Sequence, residues 1–327
     1  MIHYLTTSST DPFFNLAFEE YVFRTKTVGT WLILWQNENA VIIGMNQNPM
    51  EEVNLQYIEA QEIKVVRRMT GGGAVYHDLG NLNFSVISDV KEPGIPDIGS
   101  YNKPICDALI KLGLSPENTG KNDIVVNGKK ISGVAQRICS GRILHHGCIL
   151  FDSNIDRLAF ALKEDSGKYA SKSTKSTRSR VTNLRPLLNV DMSIDSFHDR
   201  ILESFSVNGC VQEVLNDYDL ACIHQIAESK YRDLKWTWGR QLDYSYRNKS
   251  RFEGGELEVE LLVAQGRITN IQIYGDFMAT RSCDDIRKKL CGTRYDKEAV
   301  AKVLERSDLR SAFGSISQTE ILSVMFE

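Results

Sequence analysis

Apolar positions give the first outline of this chain. Phe14, Ala17, Phe18 and Tyr21 recur at helical spacing behind Asp11-Pro12, a residue able to cap a helix followed by one suited to its first turn. The pattern predicts a helix over 13–24. Trp31 to Trp35 and Ala40 to Ile43 are short apolar runs and predict buried strands. Residues 51–61 read as a helix. Ile63 to Arg67 reads as a strand entering Gly71-Gly72-Gly73. Leu82 to Ser88 alternates as a strand does, and Tyr101 to Leu112 has helical spacing. The clearest turn is Val125-Val126-Asn127-Gly128-Lys129-Lys130, where Asn-Gly suits a type I′ hairpin. Ile143 to Phe151 predicts a further strand, and Ile194 to Ser206 and Leu220 to Lys230 predict helices.

Two stretches change the pattern. Lys163 to Arg180 is rich in Ser, Thr and Lys and nearly free of large apolar residues, so it reads as an exposed loop. After Trp236-Thr237-Trp238-Gly239, Glu256 to Ala264, a Gln265-Gly266 turn and Ile268 to Tyr274 form a hairpin pattern that closes with helices. The expected division is 1–246 and 247–327. Strands and helices alternate without a strict βαβ rhythm. The expected class is therefore α/β in the α+β sense, a mixed sheet with flanking helices and a small C-terminal α/β domain.

The 327 residues allow a normal core. A net charge of -3 with 39 basic and 42 acidic residues argues against a general nucleic-acid binder. No apolar run approaches a membrane span, and no signal peptide is evident. The 7 cysteines include no C-x-x-C pair, so they read as free thiols, and the expected compartment is the cytoplasm.

Candidate chemistry lies in four segments. In Arg67-Arg68-Met69-Thr70-Gly71-Gly72-Gly73-Ala74-Val75-Tyr76-His77-Asp78, glycines after a strand let main-chain N–H groups approach an anion, and two arginines add positive charge. A tight turn with surface arginines would look the same. In Asp123 to Gly133, an ideal two-residue turn pairs Val126 with Lys129, Val125 with Lys130 and Asp123 with Ser132. Asp123, Val125, Lys130 and Ser132 then share a face, and Lys129 points the other way. The alternative is a surface ion pair. His145-His146-Gly147 sits on a strand, so its two imidazoles face opposite sides and cannot clamp one metal. Ser179 to Leu184 ends the polar loop and could close over a nucleotide.

In this order the segments resemble the lipoate–protein ligase A family. Arg67 to Asn83 looks like its lipoate-binding signature. Asn122-Asp123 with Lys130-Ile131-Ser132-Gly133 looks like its catalytic-lysine motif. His145-His146-Gly147, Ser179 to Leu184 and Asp11-Pro12-Phe13-Phe14-Asn15-Leu16-Ala17 match as well, so the resemblance spans essentially the whole chain. It implies the biotin/lipoate ligase fold with a C-terminal accessory domain. It implies ATP-dependent activation of lipoic acid to lipoyl-AMP and transfer to a lysine of an acceptor, either a lipoyl domain of a 2-oxoacid dehydrogenase or the glycine-cleavage carrier protein. Lys130 is similar to the catalytic lysine that contacts the lipoate carboxyl and the α-phosphate. Arg68, Gly73, Ala74, Val75, Tyr76 and Asp123 match the nucleotide side, with Asp123 near Mg2+. Arg67, Gly72 and His146 match positions near the acyl group. Met69-Thr70 stands where some members have two serines. Phe14, Trp31 or Trp35 could wall an apolar tunnel or simply pack the core.

The main rival is an acyltransferase of the same superfamily that takes lipoyl or octanoyl groups from a preactivated donor. A cysteine-dependent version needs a thiolate beside Lys130. Cys148 and Cys139 are nearest in sequence, yet an ideal Ser140-Gly141 hairpin pairs Cys148 with Gly133 and turns it away from Lys130. A biotin ligase should carry an arginine- and glycine-rich biotin loop, which is not found here. A non-catalytic binding module would tolerate loss of Lys130 or the glycines, and both are present.

Overall fold

The computed structural model describes residues 1–90, 97–119, 122–163, 180–239, 246–264 and 266–326. Strands β1 (Ile2–Thr6), β2 (Thr30–Trp35), β3 (Ala40–Ile43), β4 (Lys64–Arg67), β5 (Val75–His77) and β6 (Asn81–Asp89) come first. They are followed by β7 (Pro116–Asn118), β8 (Asp123–Val126), β9 (Lys129–Cys139), β10 (Arg142–Leu150) and β11 (Cys210–Gln212). Eight of these form one mixed sheet in the order β11-β1-β2-β6-β10-β9-β8-β7, while β4-β3-β5 form a second, small sheet. The mixed sheet was expected and the second sheet was not. Nor were β1, β7 and β11, which are short or lie at an edge and carry little periodicity.

The large sheet is apolar on both faces. Leu32, Leu34, Leu82, Phe84 and Val86 pack beneath the Ile98–Lys111 and Ile194–Phe205 helices. Ile33, Trp35, Ile87 and Leu144 face the Pro12–Thr25 helix and Ile42 and Val66 of the small sheet. The other side of the small sheet, with Val41, Ile43, Val65 and Tyr76, is covered by Ile58, Leu158 and Ala161 from short helices. Period-two alternation along β2 and β6 thus splits each strand between two cores.

The expected helix over 51–61 is two pieces, Pro49–Glu52 and Leu55–Ala60. Val53 is fully buried in a bridge to Leu162, and the Asn54 side chain caps the second piece, so the chain turns there. The Asn127-Gly128 turn has both residues at positive φ, 52° and 72°, as a type I′ turn requires. The Lys163 to Arg180 loop falls largely on residues 164–179, outside the described residues.

The C-terminal part has its own sheet, β12 (Tyr246–Phe252), β13 (Gly255–Ala264) and β14 (Arg267–Gly275), under helices Asp284–Leu290, Lys297–Glu305, Leu309–Phe313 and Gln318–Phe326. Its core runs from Leu257 to Met325 and includes no buried residue from the larger part.

The two parts touch at the glycine-rich loop. The Gly72 N–H donates to the Phe277 carbonyl at 3.2 Å, and the Ile138 N–H to Thr280 at 3.0 Å. A methyl group on Gly71 would lie 2.8 Å from the Ala279 nitrogen and 2.9 Å from the Phe277 oxygen. The main chain of 277–280 therefore lies directly on the loop, and only glycine permits that approach.

Candidate active site

The geometry of the candidate site begins with an irregularity in the β8–β9 pair. Val125 pairs with Lys130 as expected, but Ile124 pairs with Ser132 and Asp123 with Gly133. The expected Asp123–Ser132 pairing is therefore corrected. Ile131 is the extra residue of a bulge, and from there β9 alternates with opposite parity. Ser132 turns into the buried side with Ile124. Lys130 and Gly133 now share a face: a Cβ on Gly133 would lie 2.9 Å from Lys130 Nζ. Lys130 Nζ still meets Asp123 Oδ1, at 2.8 Å, with both side chains about a third exposed.

The same bulge reverses a second expectation. Cys148 pairs with Gly133, as the ideal hairpin predicts. Because Gly133 now faces Lys130, so does Cys148, and both line one slot of about 100 Å³. Burial raises the Cys148 thiol pKa, and this outweighs the lowering effect of Lys130. That favours the neutral thiol over the nucleophile a cysteine-dependent transferase needs.

The slot's floor is a row of residues across the large sheet. Trp35 pairs with Asn83, Asn83 with Cys148, Cys148 with Gly133, and Gly133 with Asp123. A second row is Ile33, Ser85, His146 and Ala135. Leu16 and Ile42 close the slot from above, and the loop residues Gly72 to Val75 form its rim. Of the three aromatic wall candidates, Trp35 lines the slot. Trp31 stacks on His3 and Phe14 packs near Phe18 and His224.

The two arginines do different work. Arg68 donates from Nε to Thr70 Oγ1 and from its other nitrogens to the carbonyls of Ile42, Gly71 and Gly73. It thereby draws loop carbonyls toward itself. Gly44 supports this packing, since a methyl there would lie 2.0 Å from the Gly72 oxygen. Arg67 donates to the carbonyls of Gly44, Met45, Gln47, Trp236 and Thr237 and lies on a larger cavity between the two parts. Burial lowers both guanidinium pKa values to about 10. Gly73 and Ala74 reach the slot, whereas the Tyr76 side chain is buried in the opposite core, its hydroxyl donating to Asn39.

The adjacent histidines separate as expected. His145 lies between Gln136 and Asn102, stacked on Tyr101 away from the slot, and burial pushes its pKa down to about 3. His146 lines the slot. Its Nδ1 is 2.7 Å from Glu19 Oε1 and its Nε2 is 2.7 Å from Thr70 Oγ1. Arg68 Nε donates to that same hydroxyl, so Arg68, Thr70, His146 and Glu19 form one hydrogen-bonded chain. No local spacing marks Glu19, which arrives from the first helix and is fully buried. From the Ser179 to Leu184 segment, the Thr182 N–H donates to the Lys130 carbonyl at 3.0 Å, and Asn183 bonds Ser153 in both directions. Ser179 itself is outside the described residues.

A lysine–carboxylate pair beside a clamped glycine-rich loop and a narrow slot defines a site able to gather anions at the mouth of an apolar pocket. Comparison with known proteins gives the class. Residues 11–206 match the Lipoyl protein ligase A/B catalytic domain, and 241–325 match the Bacterial lipoate protein ligase C-terminus. The chain is 40% identical to lipoate-protein ligase LplJ of Bacillus subtilis and 38% identical to lipoate–protein ligase 1 of Staphylococcus aureus, covering 97% of each chain in both cases. Among solved structures, P. falciparum LipL1 in complex with lipoate superposes with a TM-score of 0.82 at 25% identity, covering 94% of this chain and 95% of that one. A lipoate-protein ligase A bound with ATP superposes at 0.64 with 30% identity, covering 73% of this chain and 98% of that one. This chain belongs to the lipoate–protein ligase family.

Proposed function

We propose that this protein is an ATP-dependent lipoate–protein ligase that activates lipoate as lipoyl-AMP and transfers the lipoyl group to a lysine of an acceptor protein. The observation that carries the reading is Lys130, held 2.8 Å from Asp123 at the mouth of the slot, beside a loop whose carbonyls Arg68 draws away. The similarity of the chain to lipoate ligases over nearly its whole length supports it.

A carboxylate is a poor acyl donor, because its leaving group would be oxide. In the first half-reaction a lipoate carboxylate oxygen attacks the α-phosphorus of ATP and the bond to the bridging oxygen of pyrophosphate breaks. Both reactants are anions. Lys130 lowers their repulsion and offsets charge in the transition state, a role worth roughly 3–4 kcal/mol per donor. Gly73, Ala74 and Val75 border the site for the phosphates, the main chain of Tyr76 continues that rim, and Gly72 borders the acyl slot. Asp123 is a single carboxylate beside Lys130, which suits a Mg2+ held by one or two carboxylates and the phosphates. Such an ion would neutralise charge on the departing pyrophosphate. His146 holds Thr70 and the slot wall. Arg67 acts at one remove, fixing segments 44–47 and 236–237. In the second half-reaction the acceptor amine attacks the acyl carbon and AMP leaves.

The acceptors we propose are lipoyl domains of 2-oxoacid dehydrogenases or the glycine-cleavage carrier protein. A division at 246 and 247 into catalytic and accessory domains accords with the separate C-terminal core. A cytoplasmic setting accords with seven free thiols.

Lipoate, ATP and Mg2+ with the purified protein and no acceptor should give lipoyl-AMP and pyrophosphate, and Lys130→Ala should give neither. Wild-type protein that makes no lipoyl-AMP yet transfers lipoyl from added lipoyl-AMP would replace the ligase with a transferase.

A further inference from the structure

The end of the slot farthest from Lys130 carries two hydrogen-bond donors with no acceptor among the described residues. For His77 the donor follows from a chain of side chains. Asn15 Nδ2 is 2.9 Å from the Ser9 carbonyl and 2.8 Å from the Gln36 carbonyl. Carbonyls only accept, so that atom is the amide nitrogen. The Asn37 atom 3.0 Å from it must then be its oxygen, which leaves the Asn37 nitrogen facing His77 Nδ1 at 3.2 Å. An amide nitrogen only donates, so His77 Nδ1 accepts. The ring is neutral, since burial and then Arg68 and His146 push its pKa down to about 3. Its proton therefore sits on Nε2, which is buried and has no partner among the described residues. Asn83 adds a second polar group: its oxygen accepts from Asn81 Nδ2 at 2.9 Å, and its Nδ2, like Asn81 Oδ1, is buried with no partner among the described residues. Both residues line the slot, with Trp35 edge-on to the imidazole at 6.3 Å.

Their distance from the reacting end is set by the sheet. Lys130 Nζ lies over Gly133, and Gly133, Cys148 and Asn83 are successive partners on three adjacent strands. Two strand spacings come to about 10 Å, which matches the extended length of an eight-carbon acid. An acyl chain whose carboxyl meets Lys130 and which crosses Cys148 ends between Asn83 and His77.

We propose that Asn83 Nδ2–H and His77 Nε2–H form a donor pair that reads the tail of the acyl chain and selects a tail carrying acceptor lone pairs, such as dithiolane sulfur, over a hydrocarbon tail of the same length. This rests on the ligase reading and extends it to the choice of acyl chain. A hydrocarbon tail leaves two buried N–H groups without partners, and each such group typically weakens binding about tenfold. Sulfur is a weak acceptor but supplies lone pairs at that position.

The test measures kcat/KM for pyrophosphate release with lipoate, with octanoate, and with the carbon isostere in which cyclopentane replaces the dithiolane. The isostere keeps ring size and chain length and removes only the acceptors. Wild type should prefer lipoate to the isostere by about tenfold or more. Asn83→Leu and His77→Phe should each shrink that ratio and raise the rate with octanoate, and the double variant should bring the ratio near one. Equal use of lipoate and the isostere by wild type overturns the proposal, as does an unaltered ratio in the variants. The wild-type comparison needs no variant, so a variant that fails to fold does not shelter the idea. Absence of pyrophosphate with all three acids would remove the ligase reading instead, a result distinct from loss of selectivity.

Discussion

Lys130 and Cys148 face the same slot because a single extra residue, Ile131, reverses the alternation of β9 between them. Without that bulge Lys130 would lie opposite the face that Gly133 and Cys148 present. The thiol is neutral and buried, so its place is the slot floor rather than the reacting centre. Cys148→Ala should therefore reduce lipoyl transfer by less than tenfold, whereas loss of a covalent nucleophile would reduce it by orders of magnitude. Single-turnover transfer from purified lipoyl-AMP separates the two.

Lys130 carries the activation step in this reading. Lys130→Ala should lower lipoyl-AMP formation by roughly 10²–10³. Lys130→Arg should recover only part of this, because the larger planar head must fit where Gly133 leaves room for an ammonium. Asp123→Asn should weaken activation less than Lys130→Ala and raise the Mg2+ requirement. Pyrophosphate release across a Mg2+ titration reads both effects, and an Asp123→Asn enzyme with an unchanged Mg2+ dependence would remove that residue from the metal.

Glu52 gives a pH-dependent prediction. Burial, with Asp276 and Glu256 nearby, raises its pKa from 4.5 to about 7. The folded state therefore binds its proton more tightly than the unfolded chain. Below about pH 4.5 the group is protonated in both states and costs nothing. Stability falls as pH rises from there toward 7, and the full cost is present above 7. At about 1.4 kcal/mol per unit, that cost is on the order of 3–4 kcal/mol. Glu52→Gln should raise the Tm at pH 8 by several degrees and leave it nearly unchanged at pH 4.5. A larger gain at pH 4.5 than at pH 8 would contradict the assignment.

Glu19 closes the hydrogen-bonded chain that runs through His146 and Thr70 to Arg68. It also accepts from Ser85 at 2.5 Å. Glu19→Leu leaves the His146 Nδ1–H buried and unpaired, which typically costs 1–3 kcal/mol. Glu19→Gln keeps an acceptor and should cost less. Chemical denaturation of the two variants orders them, and a Glu19→Leu protein as stable as wild type would show that the chain is not a structural element.

Gly71 is one of the points where the two parts of the chain meet. Gly71→Ala places a methyl group within 3 Å of the 277–279 main chain, so either the loop or that segment must move. An overpacked contact of this kind typically costs about 1–3 kcal/mol. Lipoyl-AMP formation should fall with stability, whereas Gly73→Ala, which meets nothing within 4 Å, should be mild in stability.

By itself the sequence determined the local elements and the chemistry they carry. Helical spacing behind Asp11-Pro12, the apolar runs of β2 and β3, and the Asn127-Gly128 turn are local signals, and each element formed where its residues called for it. The adjacency of Asp123 and Lys130 survived as well, since the type I′ turn sets the first pairs of the hairpin. Only the tertiary structure decided what depends on distant partners. The bulge at Ile131 has no local signature, yet it chooses which residues share a face with Lys130. Glu19, Asn15 and Asn37 polarise His146 and His77 from other elements, and no spacing announces them. The buried Arg67 and Arg68 look like two equivalent cations in the chain, but the fold spends one on segments 44–47 and 236–237 and the other on the glycine loop. The row from Trp35 to Asp123 exists only once five strands have paired in register, because a sheet joins residues by hydrogen-bond register and not by distance along the chain.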